Sequence, residues 1–133
     1  MKTTIISITS VVLALVIIMG ANFLSSRSQS ISVNKEPTKN NVTVDSGTQI
    51  VEITAKGGYD PRKSIAKAGL PTTLRVDTSG TFDCSSTIRI PSLNISKNLP
   101  QSGVTDIDLG TQLAGVVHGT CGMGMYPFEI DFQ

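Results

Sequence analysis

From Thr48 to its C-terminus, the chain consists of short β-rich segments that are separated by glycine and proline. The segments predicted as strands are residues 49–55, 64–67, 72–78, 87–90, 104–109, 115–120 and 128–132. No segment shows the apolar spacing that is typical of an amphipathic helix. Seven short strands within residues 48–133 predict an all-β domain, a small β-sandwich.

The N-terminal segment has a different composition, because residues 3–24 are almost uninterruptedly apolar. About 20 such residues are enough to span a bilayer. Lys2 and the free amino group precede the segment, which favours a cytoplasmic N-terminus and an exported remainder. The segment is long for a signal-peptide core and lacks a convincing cleavage site. We therefore predict a membrane anchor or signal segment over residues 1–24, with an uncleaved transmembrane helix favoured.

Residues 25–47 are rich in Ser, Asn, Thr and Lys and show no sustained periodicity. Such a segment is typical of a flexible linker. The predicted organisation is thus an anchor (1–24), a linker (25–47) and a β domain (48–133). The domain is expected to be membrane-anchored and extracytoplasmic, at the cell surface or in the periplasm.

The charge distribution points to no macromolecular partner. The formal net charge is +1 and only 16% of the residues are charged. No basic face or run of like charges is present, and Trp is absent. Nucleic acid is therefore not an expected partner.

Three sulfur-bearing residues lie close together near the C-terminus, in the run His-Gly-Thr-Cys-Gly-Met-Gly-Met-Tyr-Pro-Phe. Glycine alternates with Cys121, Met123 and Met125, and this alternation does not fit a packed strand or helix interior. Thiolate and thioether are soft donors that favour Cu(I), so one interpretation is a copper-binding loop. The other is a strand end and a glycine-rich turn whose methionines cap the core.

The second cysteine of the chain, Cys84, lies in a polar turn between two predicted strands. Two cysteines in an exported domain form a disulfide by default. In the chain-entropy model, a loop of this length would contribute ~4 kcal/mol. A disulfide alone, however, leaves Met123 and Met125 without a role.

Taken together, these patterns resemble a known family. The residues that support the resemblance are Tyr59-Asp60-Pro61, the residues Ile65, Gly69, Pro71, Leu74 and Val76, the Cys84 turn, and the late strand that ends in Cys121. This arrangement resembles cupredoxins, and more narrowly the EfeO-type domains and those attached to bacterial heavy-metal and sulfite-exporter-like membrane proteins. Those domains pair a Phe/Tyr-x-Cys-Ser-Ser turn with a terminal Cys-x-Met-Gly-Met-Tyr-x-Phe loop. The resemblance covers residues 48–132.

The resemblance implies a Greek-key β-sandwich with both loops at one end. It also implies a metal site made of Cys84, Cys121, Met123 and Met125. Two thiolates and one or two thioethers form a soft site that suits Cu(I). If the cysteines converge, a disulfide is geometrically plausible without metal, so we expect alternation between a copper-loaded dithiol and an empty disulfide.

A blue-copper centre is not expected, because such a centre needs two histidines beside the cysteine. The chain has one histidine, His118. It precedes Cys121 by three positions, an offset that sends the two side chains to opposite faces of a regular strand. His118 is therefore expected to be an exposed or hydrogen-bonded strand residue.

Other side chains carry no predicted chemistry. We expect core or site-shielding roles for the aromatic residues Tyr59, Phe82, Tyr126 and Phe128. We expect solvated positions for the aspartates, which lack the spacing of a calcium loop: Asp60, Asp77, Asp83, Asp106 and Asp108.

The expected function is that of a membrane-tethered copper-binding protein, not an enzyme, which holds or transfers Cu(I). A metal transporter or oxidase is the expected kind of membrane partner. The alternative is a disulfide-stabilised interaction module without metal. A thiol-disulfide redox protein ranks last, because the cysteines lie in separate loops and lack a Cys-x-x-Cys motif.

Overall fold

The computed structural model describes residues 40–133, which contain ten strands and two short 3₁₀ turns. The strands are β1 (Val42–Asp45), β2 (Thr48–Ala55), β3 (Tyr59–Asp60), β4 (Lys63–Ala66), β5 (Pro71–Ser79), β6 (Thr87–Ile90), β7 (Ile95–Asn98), β8 (Ser102–Thr111), β9 (Gly115–Cys121) and β10 (Pro127–Phe132). The 3₁₀ turns are Cys84–Ser86 and Pro91–Leu93. The predicted all-β class is confirmed.

The strands form two five-stranded sheets. In the first, the order is β1-β2-β5-β8, with β3 also paired to β2. In the second, the order is β4-β10-β9-β6-β7. Most pairs are antiparallel, whereas β2 with β5 and β4 with β10 are parallel. Four of the eight strand pairs join strands that are not neighbours in sequence, and the chain crosses repeatedly between the two sheets.

The seven predicted strands are all present, but three further strands were missed. Strand β1 falls within the predicted linker, where Val42 pairs with Val51 of β2. The linker prediction is wrong for residues 42–45, because their hydrogen bonds to β2 place them in the sheet. Strands β1 and β7 have four residues each and are largely exposed, and β7 also lacks the apolar alternation that marks a half-buried strand.

The predicted anchor, residues 1–24, and the linker up to residue 39 lie outside the described residues. Within residues 40–133, no helix is long and apolar enough to cross a membrane.

The core lies between the two sheets and follows from alternation along the strands. In β2, every second side chain from Gln49 to Ala55 is buried. The inner face of the first sheet contributes residues such as Val51, Leu74 and Val76, all fully buried. The second sheet contributes Ile88, Ile90, Ile130 and Phe132. The two inner faces thus cover each other and leave the connections at the ends.

The ring of Phe128 is closely packed between Gly119 and Tyr59. Phe128 of β10 lies opposite Gly119 of β9, and its ring covers the Cα of this glycine. A Cβ at position 119 would overlap the Phe128 ring. On its other side, the Phe128 ring meets Tyr59 edge to face, with 4.9 Å between ring centroids. Glycine is therefore required at position 119 by packing, and not by backbone conformation.

We expect Gly119→Ala to destabilise the domain by about 1–3 kcal/mol, because the added methyl group would displace the Phe128 ring in a closely packed core. Gly122→Ala is the comparison, since its Cβ would lie 3.3 Å from Thr87 and needs only a small adjustment. Urea unfolding of the full chain in mild detergent measures both. The double variant Gly119→Ala/Phe128→Leu should lose less stability than the sum of its single variants. An effect of Gly119→Ala no larger than that of Gly122→Ala would contradict this packing.

Candidate metal centre

Several connections between strands meet at one end of the sandwich. The β5–β6 connection is tied to the β2–β3 turn, because the N–H of Gly57 donates to Oδ2 of Asp83 over 2.8 Å. It is also tied to the β7–β8 connection, because the N–H of Thr81 donates to the carbonyl of Gln101 over 2.8 Å. The β9–β10 connection lies beside the β2–β3 turn, where the Tyr126 ring approaches Gly58. Cys84 lies in the β5–β6 connection of this cluster, and Cys121 directly precedes the β9–β10 connection.

Cys84 begins a 3₁₀ turn whose N-cap is Asp83. Oδ1 of Asp83 accepts hydrogen bonds from the N–H of Ser85, at 2.7 Å, and from the Ser85 hydroxyl. These bonds, the hydroxyl bond foremost, and the one from Gly57 hold the pKa of Asp83 below its usual value. Asp83 is exposed, as expected, but it is not merely solvated: it fixes the turn that carries Cys84. An aspartate immediately before Cys-Ser-Ser is a capping pattern that the sequence already contained.

Tyr59 supports the same turn from the interior. Its hydroxyl donates to the carbonyl of Thr87 at 3.1 Å and lies 3.4 Å from the carbonyl of Ser85. Burial, and secondarily the charge of Asp83, raise the pKa of Tyr59. The phenol therefore remains a neutral hydrogen-bond donor, and its buried ring packs on Phe128. Of the predicted core or site-shielding roles, the core role is confirmed for Tyr59 and Phe128, whereas Phe82 is 74% exposed and does not lie in the core.

Cys121 is the last residue of β9 and is completely buried. Its backbone pairs with Ile88 of β6. Its N–H donates to the carbonyl of Tyr126 at 3.2 Å, and its carbonyl accepts from the N–H of Gly124 at 2.9 Å. Gly124 has a φ of +75°, a conformation that favours glycine. The loop that carries Met123 and Met125 therefore closes tightly on the end of the strand.

The two cysteines are joined by a disulfide, with 5.6 Å between their Cα atoms. This is the default that their number and the predicted export favoured. The N–H of Met123 donates to Sγ of Cys84 over 3.3 Å. Hence the two loops are in direct contact, and the residue Met123 lies against the sulfur of the opposite loop.

The methionine side chains point away from the core. Met123 is 73% exposed and Met125 is 57% exposed. The interpretation in which they cap the core is therefore wrong. Of the predicted ligands, the structure brings the sulfurs of Cys84 and Cys121 together and leaves the two thioether side chains exposed on the adjoining loop.

His118 lies on the outer face of β9, where it is 74% exposed. Its Nδ1 is 4.0 Å from Oε2 of Glu129. Cys121 faces inward on the same strand, so the two side chains lie on opposite faces, as predicted. Across residues 40–133, no three His, Cys, Asp or Glu side chains are grouped in a way that could hold a metal ion.

The four sulfur-bearing residues fit copper only when the two cysteines are reduced. A disulfide supplies no thiolate, so the oxidised site lacks the strong ligands that a soft metal requires. Reduction would place two thiols side by side, at the base of a loop that carries two exposed thioethers. Such a set of sulfur donors matches Cu(I).

The comparisons with solved structures agree with this architecture. The metal-binding domain of the Cu(I)-exporting P-type ATPase CopA of Streptococcus pneumoniae D39, solved with Cu(I), matches with a TM-score of 0.64 and 21% identity over 69% of this chain and 92% of that chain. A copper-binding protein solved in its apo form by NMR matches with a TM-score of 0.64 and 23% identity, over 69% of this chain and 94% of that chain.

A third structure, a chain of a heme-copper terminal oxidase dimer, has a TM-score of 0.54 and 17% identity and covers 96% of this chain and 99% of that chain. At these identities, the likeness shows the fold. No curated protein sequence matches the chain. The family model of the cupredoxin-like domain matches residues 11–129, which is most of the chain. With its two-sheet sandwich and its paired loops, the chain belongs to the cupredoxin-like domain family.

Proposed function

We propose that this protein binds Cu(I) outside the cytoplasm, at the membrane, and that it holds the ion or passes it on. Cys84, Cys121, Met123 and Met125 are the proposed donors. The observation that carries the proposal is the convergence of the two cysteine loops at one end of the sandwich, with the N–H of Met123 on the sulfur of Cys84.

The choice of Cu(I) rests on donor chemistry. Thiolate and thioether ligands select soft ions, and three or four sulfur donors satisfy Cu(I) without an imidazole. His118 faces away from the cysteines, so it does not add the nitrogen ligand that a blue Cu(II) centre needs. Solved copper-binding domains with this fold support the same proposal.

The proposed role is storage or delivery, without catalysis by the chain itself. Exposed thioethers favour transfer, because a partner's ligands can reach the ion from the side of Met123 and Met125. A metal transporter or an oxidase is the proposed recipient or donor. The fold occurs in a Cu(I)-exporting ATPase and in a terminal oxidase, which agrees with such a partner.

Membrane tethering is proposed from the sequence. The apolar residues 3–24 are long enough to span a bilayer, and they lie N-terminal to the sandwich. An anchored domain diffuses in two dimensions and meets membrane partners more often than a free one does. The segment between the anchor and β1 would set how far the copper loops reach from the bilayer.

The disulfide favours a second candidate function, an interaction module that binds no metal. In that case, Cys84–Cys121 would be a permanent covalent link that stabilises the end of the sandwich. The two functions can be distinguished experimentally. Only Cu(I) binding requires reduced cysteines and the methionine side chains as ligands.

We expect the chemically reduced full chain to bind one Cu(I), measured by competition with a chromophoric Cu(I) chelator. Cys84→Ser and Met123→Leu should each weaken binding by at least about tenfold, which corresponds to about 1.4 kcal/mol. His118→Gln is the control and should leave the affinity unchanged, since His118 lies on the opposite face. If the chain does not compete with the chelator for Cu(I) at any protein concentration and Met123→Leu has no effect, the metal-free module is favoured.

We expect the full chain to sediment with membranes and to resist extraction by high salt and alkaline carbonate, because burial of apolar residues 3–24 is not electrostatic. A chain that lacks residues 1–24 should be found in the soluble fraction. Protease added to intact cells, with the outer membrane opened if there is one, should digest the domain. A domain protected under these conditions would contradict the proposed topology.

A further inference from the structure

The two sulfurs of the disulfide differ in their access to solvent. Cys121 is 0% exposed, whereas Cys84 is only partly buried, on a surface turn. The neighbours of Cys84 toward solvent, Phe82 and Asp83, are both exposed. A molecule in solution therefore approaches this disulfide from the side of Cys84.

The backbone on either side of Cys121 holds its sulfur inside. The residue is paired to Ile88 within the sheet, and its N–H and carbonyl are bonded to Tyr126 and Gly124. Exposing this sulfur would break strand and loop hydrogen bonds together. Cys84 is held differently, since its turn is fixed by Asp83 and its Sγ accepts the N–H of Met123 at the protein surface.

We propose that Cys84 is the residue at which an external thiol reductant enters the disulfide. The thiolate of the reductant attacks Sγ of Cys84 and forms a mixed disulfide, while the Cys84–Cys121 bond breaks and the Cys121 sulfur leaves with the electron pair and takes a proton from solvent. A second thiol of the reductant then attacks its own sulfur in the mixed disulfide and releases Cys84. The protein disulfide gains two electrons and two protons, and the external dithiol becomes a disulfide.

A competing effect favours attack of the reductant on Cys121 instead. If Cys121 were attacked, Cys84 would be the leaving group, and the N–H of Met123 would stabilise its departing thiolate. Exchange, however, requires the nucleophile to approach one sulfur in line with the S–S bond. Cys121 has no exposed surface for such an approach, so access decides the direction.

This inference rests on the proposed function, because reduction at Cys84 prepares the site for copper. Reduction at Cys84 would convert a disulfide that lacks thiolate ligands into the dithiol that binds Cu(I). The partner class is a protein or small-molecule dithiol outside the cytoplasm. The copper loops are also its docking position, because Met123 touches the attacked sulfur.

The test is to react the oxidised full chain, in mild detergent, with glutathione for short times, to quench with acid and to locate the adduct by mass spectrometry. Trypsin separates the cysteines, because Cys84 lies in the peptide of residues 76–89 and Cys121 in that of residues 98–133. At the earliest times, we expect at least about tenfold more adduct on Cys84 than on Cys121. Equal labelling, or an excess on Cys121, would overturn the proposal.

A second measurement uses a protein reductant, a thioredoxin-like dithiol protein whose resolving cysteine is replaced by serine. It should be trapped on the peptide of residues 76–89 of the folded chain, and in urea the two peptides should be trapped to a similar extent. Trapping on Cys121 in the folded chain would also overturn the proposal. No copper is present in either measurement, and the copper titration begins with a chain that is already reduced, so the two proposals can fail independently.

Discussion

The inner faces of the two sheets have to be buried against each other, and the position of both cysteines follows from this constraint. Leu74, Val76 and Ile53 in one sheet and Ile88, Ile130 and Phe132 in the other are buried in a common core. Apolar burial stabilises in proportion to area, so the layered arrangement takes precedence over local preferences of the connections. Once the sheets are stacked, the β5–β6 and β9–β10 connections emerge at the same end. The disulfide and the Met123 bond are consequences of that placement.

Around the cysteines, polar and aromatic contacts fix the conformation of the connections, which apolar burial between the sheets does not determine. Asp83 ties the Cys84 turn to the β2–β3 turn, and Tyr59 holds the carbonyls beneath it. Phe128 packs over Gly119 and supports the Tyr59 ring. The sulfur of Cys84 thereby lies in a hydrogen-bonded surface turn, while Cys121 remains inside. A pair of chemically identical residues thus acquires different access, which is the basis of a directional exchange reaction.

Much of the fold was predictable because burial leaves a pattern in the sequence. The strands β2, β5 and β6 alternate between buried and exposed side chains, and β6 was predicted with its observed bounds. The strand β3 escaped detection because it has two residues, and its pairing is decided by β2. In the candidate site, Cys84 and Cys121 were predicted from residue type and resemblance. The role of Asp83 was missed, although its capping position was visible, and Phe82, for which a core or site-shielding role was expected, is exposed.

The sequence by itself determined the β class, the presence of sulfur donors in both loops and the absence of a second histidine. These are properties of composition and local spacing, which do not need distant contacts. The tertiary structure decided that Cys84 and Cys121 meet, that one is buried and the other reachable, and that both methionine side chains face solvent. These depend on which strands become neighbours, and that is set by the packing of residues far apart in the chain.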